Sequence, residues 1–236
     1  MLWNPWRGCH RYSDGCKFCY IHKGDRKRNI DTNVILKSKD FYKPILKDKK
    51  GNYKIKSNTL VYVCFSSDFL IAEADEWRLE CYEMIKARPD VTFLFLTKRI
   101  ERFMKVLPDD WQDGYDNVIV GVSVENMKAV KERLTIFNEL PIKHKNIILQ
   151  PLIEAVDISA YLKQIELIVV GGESDRNGRL LDYSWVLAIK EQCFKQGVNF
   201  EFRQCATNFV KDEKRYCLQT KTLRSQAKKA AIDHYF

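Results

Sequence analysis

Short apolar runs alternate with longer amphipathic stretches along this chain from Thr59 onward. The short runs are rich in β-branched and aromatic residues, and they predict strands over residues 60–65, 91–96, 117–124, 146–150, 166–170 and 198–202. The stretches between them space their apolar residues three and four apart. They predict helices over 76–87, from Arg99 through Met104, over 126–138, near 158–163 and over 183–196. Trp3-Asn4-Pro5 adds a short strand at the start. Repeated βα units imply an α/β fold with a mostly parallel sheet, and 236 residues at 45% hydrophobic content bury one sizeable core, so a single domain is expected. A closed barrel, a partial (βα) barrel and an open doubly wound sheet all share this pattern.

In each of these folds ligands sit at the carboxyl ends of the strands. Polar residues gather there: Ser66, Ser67 and Asp68; Thr97, Lys98 and Arg99; Ser123, Glu125 and Asn126; Gln150; Glu173 and Ser174; Arg203 and Gln204. Singly, each has an ordinary reading. Asn126 and Asp182 stand where helix caps stand. Lys98 and Arg99 either open a helix toward solvent or bind a carboxylate or phosphate. Glu125 either contacts a ribose or helps to cap a helix. Gly171-Gly172 lets backbone approach closely and precedes the Glu173 carboxylate, which suits an ammonium or a ribose hydroxyl. Together they predict one polar mouth, which favours the barrel over the open sheet. Ser66, Ser67, Asp68, Lys98, Ser123, Glu125, Gln150, Gly171, Gly172, Glu173 and Arg203 are the candidate cofactor-binding residues.

Charge changes the picture at both ends. The formal net charge is +9 with a pI near 9.1, which attracts polyanions. Much of the excess lies in a basic insertion over residues 23–58, where Asp48-Lys49-Lys50-Gly51-Asn52 reads as a hairpin tip. More lies in a basic tail over 210–236, where a helix is predicted over 224–231. Each segment is either a solvated surface or a nucleic-acid contact. The eight cysteines are scattered, no charged-then-apolar leader opens the chain, and no apolar run reaches bilayer length. A cytoplasmic protein with no membrane segment is expected. Cys64 in a strand and Cys81 and Cys193 in helices read as small apolar residues, while Cys205 after the last strand is placed to face the mouth.

Residues 3–20 carry the chemistry. Cys9, Cys16 and Cys19 lie within a few residues of one another, and Gly8 and Gly15 directly precede two of them. Such a loop can turn three thiolates on one centre. A structural zinc site needs four ligands, and His22, three residues beyond Cys19, is the available fourth; His10 is adjacent to Cys9. Without His22, three thiolates on a four-iron cluster leave one iron open. Two readings follow: an iron–sulfur enzyme, or a zinc-stabilised nucleic-acid-binding protein without radical chemistry.

The segment Cys16-Lys17-Phe18-Cys19-Tyr20 resembles the cluster loop of radical S-adenosylmethionine (SAM) enzymes, with six residues rather than three between its first two cysteines. The fuller set is Trp3-Asn4-Pro5, Gly8-Cys9, Ser13, Gly15-Cys16, Cys19-Tyr20, Thr97-Lys98-Arg99, Gly121-Val122-Ser123-Val124-Glu125-Asn126 and Gly171-Gly172-Glu173-Ser174. This set is similar to the phage-type three-cysteine-motif proteins, a radical-SAM-like family of largely unassigned function. The resemblance implies a radical SAM-like partial (βα) barrel over residues 59–209, behind a cluster loop over 1–22. It implies that Cys9, Cys16 and Cys19 bind a [4Fe-4S] cluster and that SAM is cleaved reductively to a 5′-deoxyadenosyl radical, with Tyr20 beside the adenine. An electron donor such as flavodoxin or ferredoxin is implied, as is a dedicated partner protein. The basic segments add a nucleic acid or nucleotide as the expected substrate. The reaction type stays open, because radical abstraction serves many outcomes.

Overall fold

The computed structural model describes residues 1–236. In chain order the strands are β1 (Leu2–Trp3), β2 (Trp6–Arg7), β3 (Leu36–Lys37), β4 (Leu60–Val63), β5 (Thr92–Thr97), β6 (Val118–Ser123), β7 (His144–Leu149), β8 (Ile165–Gly171), β9 (Leu180–Asp182), β10 (Asn199–Gln204), β11 (Asn208–Lys211) and β12 (Lys214–Cys217). All six strands expected between Leu60 and Phe202 form, with small shifts at their ends, and Trp3 lies in the expected short first strand. The main sheet is seven-stranded and all-parallel, in the order β1-β4-β5-β6-β7-β8-β10. That order follows the chain. A doubly wound sheet reverses its strand order at a switch point, whereas a monotonic order is the topology of a (βα) barrel wall. The fold is therefore mixed α/β with partial-barrel topology. Its strands are rich in buried apolar residues such as Val118, Val120 and Val122, because parallel sheets are covered on both sides.

The helices are α1 (Tyr20–Lys27), α2 (Asp75–Lys86), α3 (Met127–Ala129), α4 (Thr135–Glu139), α5 (Tyr183–Lys195) and α6 (Leu223–Lys229). Both expected caps form: Asn126 Oδ1 accepts from Ala129 N at 2.8 Å and Asp182 Oδ1 from Ser184 N at 2.8 Å. The helix expected over 126–138 is interrupted by a π segment, Val130–Leu134, between α3 and α4. This wider turn brings Arg133 to a buried partner, as described below. Two other expected helices, Ile100–Lys105 and Ser159–Tyr161, are 3-10 turns, too short to sustain α-helical pairing. Cys64 lies just past β4 in the left-handed region, at φ +61°, rather than within the strand. No helix is long and apolar enough to cross a membrane.

The chain divides into two compact units. The first comprises Met1–Arg11, Ile21–Gly121 and Leu140–His144; the second comprises Tyr12–Tyr20, Val122–Glu139 and Lys145–Phe236. The first unit has an aromatic core in which Trp6 stacks on Phe69 with centroids 5.4 Å apart, and Phe69 stacks on Phe95 at 4.4 Å. Its basic insertion closes the expected hairpin tip, with Lys47 bridging Tyr53 in antiparallel fashion and Gly51 at φ +83°. In the second unit the tail is more ordered than a solvated helix. β11 and β12 form a hairpin whose turn residues Asp212 and Glu213 are both left-handed, at φ 50° and 62°, as a tight hairpin requires. β9 pairs beside β11. His234 bridges to Phe200, so the last residues cover the free edge of β10.

Candidate functional site

In the first unit, the segment that ends in Cys9 is built into the core. Trp3 and Trp6 are fully buried, and their indole N–H groups donate to Phe41 O at 2.9 Å and Asp68 O at 3.3 Å. Gly8 sits at φ +91°, where a Cβ would lie 2.3 Å from Val34 O, so only glycine fits. Cys9 N then donates to Thr32 O at 2.7 Å. The residues after β4 hold this segment from the other side. Ser66 Oγ donates to Trp6 O at 2.7 Å, Ser66 N to Asn4 Oδ1 at 3.1 Å, and Ser67 Oγ to Gly8 O.

Asp68 is the hub of that unit. Its buried carboxylate accepts from Leu70 N, Thr97 Oγ1, Lys98 N and the Arg99 guanidinium, the longest of these bonds being 3.0 Å. Arg99 in turn donates to His10 O at 2.9 Å and lies against Cys9. Burial works against the Arg99 charge, but Asp68 and then Cys9 outweigh it and hold the guanidinium above its ordinary value. Lys98 is half-buried, and its ammonium forms no ion pair. His10 is engaged by Glu73 and Asn33, while His22 in α1 is held below its ordinary value by burial and then by Arg11.

The second unit holds Cys16 and Cys19 by different means. Glu125, almost fully buried after β6, forms an ion pair with Arg133 at 2.9 Å and accepts from Gly15 N at 3.4 Å. Arg133 also donates to Ser123 O at 2.6 Å, and its guanidinium lies over the Tyr12 ring at 5.3 Å. After β8, Glu173 is bound by Arg179 through its backbone and guanidinium, and Arg179 reaches Asp14 O at 2.8 Å. The Arg179 guanidinium also lies over Phe18 at 5.8 Å. Three strand-end acids thus pair with three arginines, and each pair binds loop backbone near a cysteine. Arg133 and Arg179 were not among the sequence candidates. Their signal was an arginine eight and six residues after a strand-end glutamate.

The remaining candidates take local positions. A Cβ on Gly171 would lie 2.9 Å from the Gln150 side chain, and one on Gly172 would lie 2.4 Å from Ala206 Cβ. The glycine pair therefore admits neighbouring protein close to β8. Gln204 Nε2 reinforces this by donating to Gly172 O at 2.7 Å. Arg203 pairs with Glu201 at 2.8 Å along β10. Tyr20 is 62% exposed at the start of α1. Cys64, Cys81 and Cys193 are buried, and burial raises all three thiols.

The family described as Protein of unknown function (DUF5131) matches residues 1–235. The chain belongs to that family. No curated protein matches it, and no solved structure matches it. Its candidate chemistry therefore rests on the residues themselves. None of the eight cysteines is in a disulfide; Cys9 is buried and Cys16 and Cys19 are half-buried. Cys9 belongs to the first unit and Cys16 and Cys19 to the second, and within neither unit do three or more His, Cys, Asp or Glu side chains gather as a ligand set. The buried Ser13 Oγ, three residues before Cys16, has no hydrogen-bond partner. Thiolates are soft donors of the kind that iron–sulfur clusters take.

Proposed function

We propose that this protein is a radical SAM enzyme in which Cys9, Cys16 and Cys19 hold a [4Fe-4S] cluster. The observation that carries the reading is the fastening of the cysteine-bearing loop. Asp68–Arg99, Glu125–Arg133 and Glu173–Arg179 fix its backbone at His10, Gly15 and Asp14. A loop used only as a connection has no need of two buried ion pairs and a third that is partly buried. When bound, the cluster and SAM would supply one-electron cleavage of a sulfonium and a carbon-centred radical.

The protein's part is to bind and orient. Tyr20 offers an exposed ring and backbone to the adenine, and Lys98 offers an ammonium outside any ion pair to a carboxylate or phosphate. Arg99, Arg133 and Arg179 act as positioning residues through the loop. A flavodoxin- or ferredoxin-like donor supplies the electron in the cytoplasm. The net charge of +9 supports a nucleic acid or nucleotide as substrate.

Anaerobic reconstitution with iron and sulfide tests the reading. The expected result is a brown protein with about four irons per chain and an absorbance shoulder that dithionite bleaches. Cys9→Ala, Cys16→Ala and Cys19→Ala should each abolish loading, and reductive 5′-deoxyadenosine release should follow the iron. A colourless protein with one tightly held zinc would instead establish the nucleic-acid-binding reading. One observation favours that alternative: His22, kept below its ordinary pKa, is a neutral imidazole at pH 7, the form that ligates.

A further inference from the structure

The basic tail folds back onto β10 and α5 and borders an open-sided pocket of about 240 Å³ in the second unit. Its walls are aromatic. Tyr183, at the start of α5, lies 6.1 Å from Phe202 and 5.9 Å from Phe209, centroid to centroid, and Tyr216 of β12 faces the same space. Cys205 contributes a thiol that burial pushes up to about 11, so it adds no negative charge at pH 7.

The charged groups in the lining are all cationic. Lys211 places its ammonium 5.3 Å from the Tyr183 ring centroid, Lys229 presents a second ammonium, and neither forms an ion pair. Gln226 adds a side-chain amide that makes no hydrogen bond within the protein, leaving both its donor and its acceptor free. No carboxylate lines the pocket; of the two acids next to lining residues in sequence, Asp182 caps α5 at Ser184 N, and Asp212 stands in the hairpin turn and raises the Tyr183 hydroxyl less than burial and Cys205 do. Flat apolar walls, an amide that can read a ring edge and two ammoniums outside any ion pair match a heteroaromatic ring joined to a phosphate. The volume lies below the roughly 300–1,000 Å³ of a drug-sized site, which suits one base with its sugar rather than a dinucleotide.

From these residues we infer that the pocket binds a nucleoside phosphate, with the base between the aromatic walls, Gln226 on its edge and Lys211 and Lys229 on the phosphate. Lys214, Arg215, Arg224 and Lys228 are exposed on the same hairpin and helix and lie outside the pocket lining, where further phosphates of a strand would find them. The source favoured is therefore one nucleotide of a single strand. This inference does not depend on the cluster reading, because its probe is binding by the metal-free chain.

The test is fluorescence anisotropy of a labelled short single-stranded oligonucleotide with the full chain, beside titration with free nucleoside monophosphates. Lys211→Glu/Lys229→Glu should weaken binding by about tenfold or more and lower the slope of log K against log salt by about 0.7, the amount for the one phosphate that is no longer neutralised. Tyr216→Ala, at a position 42% exposed, should preserve the fold and weaken binding by about tenfold. Lys49→Glu/Lys50→Glu makes the same change in net charge at the hairpin tip of the other unit and should weaken binding less than about threefold. Tighter binding of the oligonucleotide than of the monophosphates assigns the strand as the source; equal binding assigns the free nucleotide. The inference is overturned if the wild-type chain binds neither probe. It is also overturned if the pocket variants lose no more affinity than the Lys49/Lys50 control. Photo-crosslinking of a 5-iodouracil strand to the wild-type chain gives a check independent of variant folding, and adducts that avoid Tyr183, Phe202, Phe209 and Tyr216 would also overturn it.

Discussion

The cysteine loop is fastened in two ways. Residues 1–11 are anchored by burial: Trp3 and Trp6 are fully enclosed, β1 pairs in parallel with β4, and Gly8 passes against Val34 where no other residue fits. Residues 12–20 bury no aromatic side chain; Tyr12 is 43% exposed, and the segment is held through Arg179 on Asp14, Glu125 on Gly15 and two guanidinium–ring contacts. Hydrophobic anchoring is insensitive to charge and opens only with the core. Ionic anchoring depends on each partner remaining charged, and it can open locally while the core stays closed. The segment with Cys16 and Cys19 is thus the part of the loop able to yield locally.

The largest effect should come from the buried half. Trp6→Ala removes a fully enclosed indole and should cost about 4 kcal/mol. For a chain of this size that lowers Tm by about 10 °C. A loss below about 1 kcal/mol would show that aromatic burial is not what anchors residues 1–11. Next comes Arg133→Ala, which strands the Glu125 carboxylate in the interior and should cost about 3 kcal/mol. The double variant Glu125→Gln/Arg133→Met should recover much of that stability, since the cost lies in the unpaired charge rather than in the missing pair. No recovery would count against an ionic anchor.

A smaller change is expected from Arg179→Ala. Arg179 is about a quarter exposed in its pair with Glu173, so solvent screens it and the cost should be about 1–2 kcal/mol. Hydrogen exchange should accelerate at the amides of residues 12–20 and not at those of residues 1–9. Equal acceleration in both would erase the distinction between the halves. The smallest effect concerns pH. His22 is folded with its pKa below 6.5, so its contribution is present above about pH 6.5 and is lost as pH falls from there toward the folded value. His22→Gln should flatten the fall in stability between about pH 7 and pH 5. An unchanged pH profile would mean that the imidazole is not held neutral in the fold.

Much of the scaffold was legible from residue pattern alone. The six strand runs, the caps at Asn126 and Asp182, the hairpin tip at Gly51 and the polar strand ends all follow from local rules of periodicity, capping and turn geometry. The second hairpin was missed because Phe209, Val210, Arg215 and Tyr216 sit among so many lysines that charge masked the alternation. The π turn at Val130–Leu134 was missed for another reason: Glu125, the buried partner of its Arg133, lies outside the helix.

The sequence by itself determined that this is an α/β chain with three closely spaced thiols and a line of polar residues after its strands, because each of those depends on neighbours in the chain. Only the tertiary structure decided how those polar residues are used. A carboxylate looks alike in sequence whether it awaits a ligand or meets an arginine, and Asp68, Glu125 and Glu173 each meet one. Charge neutralisation in a buried place depends on which side chains arrive there together, and that is settled by packing between distant segments.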